Sequence, residues 1–335
     1  TACVFNGVDS GTLTFGGMRD LECGATLFTR YGGSIYENLI VCKKNETYLV
    51  DGTSFDDYIV YKISSTRGCV APLTMKVCDT GYEVAPGLTK HTLVWLSTSG
   101  VIMFDANSMI EISNDIGDRF ERKTDTKINF TYSHQSAAFY DSMMGGYHLL
   151  IATGSSKYPN EEWVYDLVRK KWFQIKRGAK YLWCGFEVDD SAGNKYVYGG
   201  TGDGYLERLE YGTTFDGVSI AYKFRLPDSL MNMSWDSRKE LRQIRLVGVC
   251  KTTSSQTVLC EHFADGSTTA SSPAVYAIPQ TNSGHRFYKW SRSVSYRGNT
   301  HSLQFSITTS DETIGLQPLF VAGTFKVIDP DLESQ

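Results

Sequence analysis

The chain has 335 residues and a formal net charge of −4; 41% of the residues are hydrophobic and 13% aromatic, with 20 Tyr and 17 Phe. That composition belongs to globular, strand-rich proteins and excludes disorder, and the length is enough for two domains with sizeable cores. No apolar run approaches the roughly 18 residues of a membrane helix, and no part of the chain has the concentrated positive charge of a tight or sequence-reading DNA binder, whose affinity rests on phosphate neutralisation.

Before Cys3 there is no basic segment leading into an apolar h-region, so no targeting signal is visible. The segment from Cys3 to Phe28 either supplies strands of its own or continues from a longer polypeptide; the second is the expectation. Four stretches then share one grammar, in which an apolar run meets a Gly/Ser/Asn turn cluster and a second alternating run follows: residues 37–52, 91–113, 147–175 and 194–212. With Ile40, Val94, Leu149 and Tyr196 as equivalent positions, the repeat is about 54, 55 and 47 residues, a propeller-like period. The aromatics Trp95, Trp163, Tyr165 and Trp172 sit on these predicted strands and are expected to pack between blades, as are Trp183, Trp235 and Trp290 in their own strands.

Past Gly212 the blade grammar stops. Longer alternating strands follow at 241–249, 257–263, 287–296, 302–308 and 315–327, with Asp265-Gly266 and Arg297-Gly298-Asn299 reading as tight hairpin turns. The expected fold is therefore all-β, with β-propeller-like blades over residues 1–215 followed by a C-terminal β-sandwich over 216–335. In 241–249, strict alternation places Arg242, Ile244 and Leu246 on one face. The cluster Arg238, Lys239, Arg242, Arg245 contains Glu240 and is split across faces, which suits a solvated or subunit-contacting strand.

Chemistry-bearing motifs are sparse. The eight cysteines include no CxxC pair; Cys69 with Cys78, and Cys250 with Cys260, are spaced as hairpin partners could be, but a chain of this size needs no staples and buried free thiols are the reading adopted. The six histidines show no metal-binding spacing, and no cofactor or metal site is expected. Residues 199–204 (GGTGDG) lie between two strands, where a dinucleotide fingerprint requires a following helix, so they read as a hairpin. The acidic doublets Asp56-Asp57, Glu161-Glu162 and Asp189-Asp190 could supply the paired carboxylates of a glycosidase, but all three sit in turn-rich segments where acids are ordinary.

Two resemblances add to this. Tyr165-Asp166 followed by Trp172 looks like the end of a kelch blade. The blocks Trp95-Leu96-Ser97 with Gly100-Val101 and Ile112-Ser113, Trp163-Val164-Tyr165-Asp166 with Trp172, Gly202-Asp203-Gly204-Tyr205-Leu206, and residues 211–217 (YGTTFDG) leading into the strand from Ile220 resemble the packaged-DNA stabilisation and tail nozzle proteins of short-tailed bacteriophages. The resemblance implies a virion protein made in the host cytoplasm, structural rather than enzymatic, forming a homo-oligomeric ring, a hexamer in that family, whose bore conducts and retains the genome. Its implied partners are further copies of itself, an adaptor or fibres, and genomic DNA in transient non-specific contact. On that reading Ile220, Tyr222, Phe224, Arg242, Arg245, Phe320 and Phe325 are the expected inter-subunit contacts. The alternative is a glycan- or receptor-binding β-propeller of the virion, using Tyr158, Trp163 or Trp183 over sugar faces.

Overall fold

The computed structural model describes residues 13–17, 19–31, 34–52, 57–85, 88–121, 125–178, 180–230, 237–251, 256–271, 273–278, 286–309 and 315–328. They form an all-β chain of two compact units, Thr1–Tyr211 and Gly212–Gln335, the first with β-propeller-like blades and the second a β-sandwich. No described helix is long and apolar enough to cross a membrane.

Four antiparallel meanders follow one another in the first unit. They are β1 (Leu21–Tyr31), β2 (Ser34–Lys43), β3 (Thr47–Asp51) and β4 (Ile59–Ser64); β5 (Lys76–Ala85), β6 (Leu88–Leu96), β7 (Val101–Phe104) and β8 (Met109–Glu111); β9 (Ala137–Asp141), β10 (Gly146–Ile151), β11 (Glu161–Asp166) and β12 (Lys171–Ile175); and the three-stranded β13 (Leu182–Asp189), β14 (Lys195–Thr201) and β15 (Leu206–Arg208). Ile40, Val94, Leu149 and Tyr196 fall in β2, β6, β10 and β14, the second strand of each sheet. The repeat pattern did not reveal the strand before each of them. Those first strands carry contacts between successive sheets, β1 with β5, β5 with β9 and β9 with β13.

Burial on both faces explains why the second strands read as continuous apolar runs rather than as alternation. In β6, Leu93 and Trp95 join Leu27, Ile40 and Phe104 in a core between the first and second sheets, while Val94 and Leu96 turn the other way into a core with Tyr147, Leu149, Ile151, Tyr165 and Trp172 of the third. Leu150 of β10 faces the fourth sheet with Phe139, Leu182, Val197 and Leu209. A β-strand alternates faces at every residue, so one strand serves two interfaces. Fully buried, Trp95 donates its indole N–H to the Gly68 carbonyl at 3.1 Å, and Trp172 donates to the Ile112 carbonyl at 2.6 Å, so each aromatic satisfies its one polar atom while filling the interface. Trp163 is half-buried against the same core as Trp172. Gly185 is where β13 comes close to β9: a Cβ there would lie 2.2 Å from Phe139 Cδ1. Trp235, grouped with these aromatics from the sequence, lies outside the described residues.

In the second unit a five-stranded sheet, in the order β16 (Thr214–Phe215), β17 (Val218–Arg225), β22 (His301–Thr309), β19 (Gln256–Ala264) and β20 (Ala274–Ile278), faces a three-stranded one, β21 (Arg286–Gly298), β18 (Lys239–Lys251) and β23 (Gly315–Val327). Leu241, Ile244 and Leu246 of β18 meet Val258, Cys260, Tyr276, Leu303, Phe305 and Ile307 in the core between them.

Three sequence expectations are corrected in this unit. A bulge between Leu241 and Gln243 resets the alternation of β18, so Leu241 shares the buried face with Ile244 and Leu246 while Arg242 is exposed. Arg297-Gly298-Asn299 is a crossover between the two sheets rather than a hairpin, because the Asn299 and Thr300 N–H groups bond to Asp265 Oδ1 in place of a partner strand. Asp265 and Gly266 do adopt positive φ angles of 51° and 71°, but they begin a longer loop, since the first pair of β19 with β20 is Cys260 with Ala274.

Cys69, Cys78 and Cys260 are buried free thiols, and the side chain of Cys250 lies outside the described residues. Residues 202–205 turn β14 back into β15 with Gly204 at φ 85°, so the glycine run is a hairpin turn and not a helix-opening loop.

Candidate functional site

The third and fourth sheets meet around a pocket of about 280 Å³. Its walls come from Asn160, Glu161 and Glu162 at the start of β11, Gln174 and Ile175 at the end of β12, and the connection through Lys176, Arg177 and Lys180 to Tyr181 and Leu182. Adjacent residues of a strand point to opposite faces, so the two glutamates act separately.

Glu162 is buried and fully engaged. Arg177 grips it with two bonds, Nε to Oε2 at 2.7 Å and Nη2 to Oε1 at 2.9 Å, and also reaches Glu210 Oε1 at 2.7 Å; His148 Nδ1 lies 2.8 Å from Oε1. Burial pushes the Glu162 carboxyl up, but the bonds from His148 and Arg177 outweigh it and hold the acid below its usual range. An ionised carboxylate only accepts, so His148 Nδ1 carries the hydrogen; its Nε2 meets no partner, and the ring stacks on Phe139 at 4.3 Å. The cluster joins β10, β11, the connection to the fourth sheet and the end of that sheet, a location from which it can fix their relative positions. Glu161 takes the other face, accepting from Arg119 Nε at 2.8 Å and from the Trp163 indole at 2.7 Å.

Of the acidic doublets, Glu162 and Asp190 are both held below the usual carboxylate range, the opposite of a glycosidase's proton donor. The Asn194 amide with further N–H donors holds Asp190 down to about 2 in a turn. Asp189 pairs with Lys195 at 3.1 Å, and Asp56 lies outside the described residues.

The rest of the pocket wall is less occupied. Asn160 Oδ1 accepts from the Thr153 N–H at 2.8 Å and from its hydroxyl at 3.2 Å, which leaves the Nδ2 donor available. Gln174 and the exposed Lys176 follow on one face of β12 and its continuation. Two residues before Asn160 and one after Leu182, Tyr158 and Trp183 stack with centroids 4.5 Å apart and planes 14° from parallel. Of the three aromatics proposed from sequence as sugar platforms, the structure brings these two together and sets Trp163 apart on Glu161 and Arg119.

The sandwich holds a second polar cluster that no local motif signals, because its members are far apart in the chain. His262 Nε2 lies 2.8 Å from His301 Nδ1, His262 Nδ1 lies 3.2 Å from Ser271 Oγ, and the His262 ring stacks on Tyr296 at 4.3 Å. Burial, then the His301 charge, depress His262 to about 4, and burial also lowers His301. Beside His301 is an apolar pocket of about 350 Å³ that includes Phe325.

Of the expected contact residues, β17 carries Ile220, Tyr222 and Phe224 and β23 carries Phe320 and Phe325. From Ile220 onward β17 pairs only with β22, and β23 pairs only with β18, so both are outer strands among the described residues. Tyr222 and Phe320 are 47% and 59% exposed, and Arg242 and Arg245 are exposed too, held by Glu240 and Gln243. Phe224 stacks on the buried Phe305 at 5.1 Å and Phe325 turns into the pocket, so these two serve the unit's interior. No group of three or more His, Cys, Asp or Glu that could hold a metal ion occurs among the described residues.

No protein-family model matches the chain, and no curated protein matches it significantly. Solved structures do show similarity. One is an exo-β-1,3-galactanase from Phanerochaete chrysosporium at 8% identity, with 85% of this chain and 78% of that one covered and a TM-score of 0.27. Another is a family 43 arabinoxylan arabinofuranohydrolase from Bacillus subtilis at 8% identity, covering 92% and 96% with a TM-score of 0.24. A third is a Bacillus thuringiensis Cry1Da tryptic core variant at 7% identity, covering 92% and 51% with a TM-score of 0.23. The recurrence of glycoside hydrolases among them overturns the expectation of a chain without enzymatic activity, which is withdrawn. At these scores and identities the likeness assigns this chain no reaction and no substrate.

Proposed function

We propose that the chain is a structural virion protein of a tailed phage, a tail nozzle, tube or head-to-tail component that assembles as a homo-oligomeric ring and forms part of the DNA conduit. The observation that carries this reading is a pair of strands in the sandwich, β17 from Ile220 onward and β23, each unpaired on one side among the described residues and presenting a large exposed side chain, Tyr222 on the first and Phe320 on the second. Unpaired strand edges invite addition of another chain, and a ring leaves no such edge free. The edges are not uniformly open. Pro318, opposite Gly248, and the bulge at Leu319 blunt the start of β23, so the stretch from Phe320 onward and β17 are available for strand addition.

The charge distribution agrees with a conduit. The chain is slightly acidic overall, and a bore without dense positive charge lets duplex DNA slide rather than stick. Further ring partners on this reading are an adaptor or fibres, reached through the same kind of edge. Sedimentation of the purified chain over a rising concentration series tests the proposal: a discrete oligomer that Tyr222→Asp with Phe320→Asp returns to monomer supports it. A monomer at every concentration that also fails to join tail assemblies sinks it.

A further inference from the structure

We propose that the pocket between the third and fourth sheets, together with the stacked Tyr158–Trp183 pair that adjoins its lining residues Asn160 and Leu182 in the chain, is a binding site for an oligosaccharide. The ligand class follows from what the surface offers. Tyr158 and Trp183 are 48% and 38% exposed, and they stack on each other instead of entering a core between sheets. An exposed ring face suits the C–H face of a pyranose, and the pair is held in place for it. A Cβ on Gly202 would come within 2.7 Å of Trp183 Cε2, so only glycine lets the indole lie where it does. The Tyr158 loop is tied down by Ser156 Oγ to the Tyr158 carbonyl at 2.7 Å and by Asn129 Nδ2 to the Ser156 carbonyl at 2.9 Å.

Immediately along the chain from the two rings, Asn160, Tyr181 and Leu182 line the pocket. Its polar groups divide into two kinds. Glu162, Arg177 and Glu210 are bonded to one another and shape the wall; the Asn160 Nδ2 donor, the Gln174 amide and the Lys176 ammonium remain for a ligand. A ring face beside amide donors, at a volume near the lower end of small-molecule sites, is the combination that recognises sugar hydroxyls and not a purely apolar ligand. Lys176, exposed beside this cluster, places an ammonium at the opening with which the carboxylate of an acidic sugar can pair.

The test applies the purified full chain to an array of neutral and uronic-acid-containing oligosaccharides, then titrates the best-bound oligosaccharide by tryptophan fluorescence. The expected result is saturable binding that Tyr158→Ala weakens by roughly tenfold, the scale of one aromatic stacking contact. Gln174→Ala weakens it as well, and Lys176→Ala removes the preference for the carboxylated sugars. Tyr158, Gln174 and Lys176 are partly or largely exposed, so their replacements leave the fold in place, which circular dichroism verifies. An array without binding, or an affinity that Tyr158→Ala and Gln174→Ala both leave unchanged, overturns the proposal. The site does not depend on ring formation: a chain that binds sugars as a monomer loses the tail reading and keeps this one.

Discussion

Lowering the pH from 8 to 5 should selectively weaken the sandwich through His262. In the unfolded chain this imidazole titrates near its ordinary value of 6.5; in the fold it is depressed to about 4 by burial and by the His301 charge. A base with a depressed folded pKa contributes fully above its unfolded value and loses that contribution as pH falls through the interval toward the folded value. At pH 5 the unfolded chain is protonated at this site and the folded one is not, a difference of about 1.5 pH units, or about 2 kcal/mol. For a unit of this size that is roughly 6–10 °C in the midpoint of thermal unfolding. Differential scanning calorimetry of the full chain at pH 8 and pH 5, beside His262→Gln, measures it. Most of the pH-dependent drop in the sandwich transition should disappear in the variant. An equal drop in the two proteins would refute the reasoning, because the loss would then come from other groups.

Other outcomes follow from the buried clusters. Arg177→Met leaves Glu162 buried without its bidentate partner and should cost about 3–5 kcal/mol in urea unfolding, whereas a double-mutant cycle with Glu162→Gln should return a coupling energy above roughly 1 kcal/mol; additive losses would mean the pair is not acting as a unit. Among the free cysteines of the described residues, Cys184 is exposed and should be alkylated first by iodoacetamide in the native protein. Cys42, Cys69, Cys78 and Cys260 should react only on unfolding, since they are buried, with burial pushing Cys260 up to about 12 and Cys78 higher still. Mass spectrometry of a short labelling pulse separates the two classes, and early labelling of Cys69 or Cys78 would contradict the buried first-unit cores.

The order of strands was legible where the chain states it locally. Val94-Trp95-Leu96 and His148-Leu149-Leu150-Ile151 are apolar on both faces and bounded by turn residues, so β6 and β10 could be placed by inspection. First strands such as β5 and β13 carry Asp79, Glu187 and interior glycines such as Gly185, whose role of admitting Phe139 exists only once the neighbouring sheet is in place. The phase of β18 was misread because a bulge at Arg242 leaves no mark on hydrophobic periodicity. The site divides the same way. Tyr158 and Trp183 could be nominated as exposed aromatics, but their stacking across 25 residues could not; nor could the assembly of His148, Glu162, Arg177 and Glu210, or of His262 with His301, which are tertiary juxtapositions of individually ordinary residues.

The tail reading is tested most directly by electron cryomicroscopy of the native particle in which the chain resides, by asking where its density lies. The account predicts a closed ring of copies around an axial channel wide enough for duplex DNA, with β17 or the part of β23 from Phe320 onward at the contact between neighbouring copies. Isolated copies, or trimers displayed at the particle's periphery with those edges open to solvent, would contradict it.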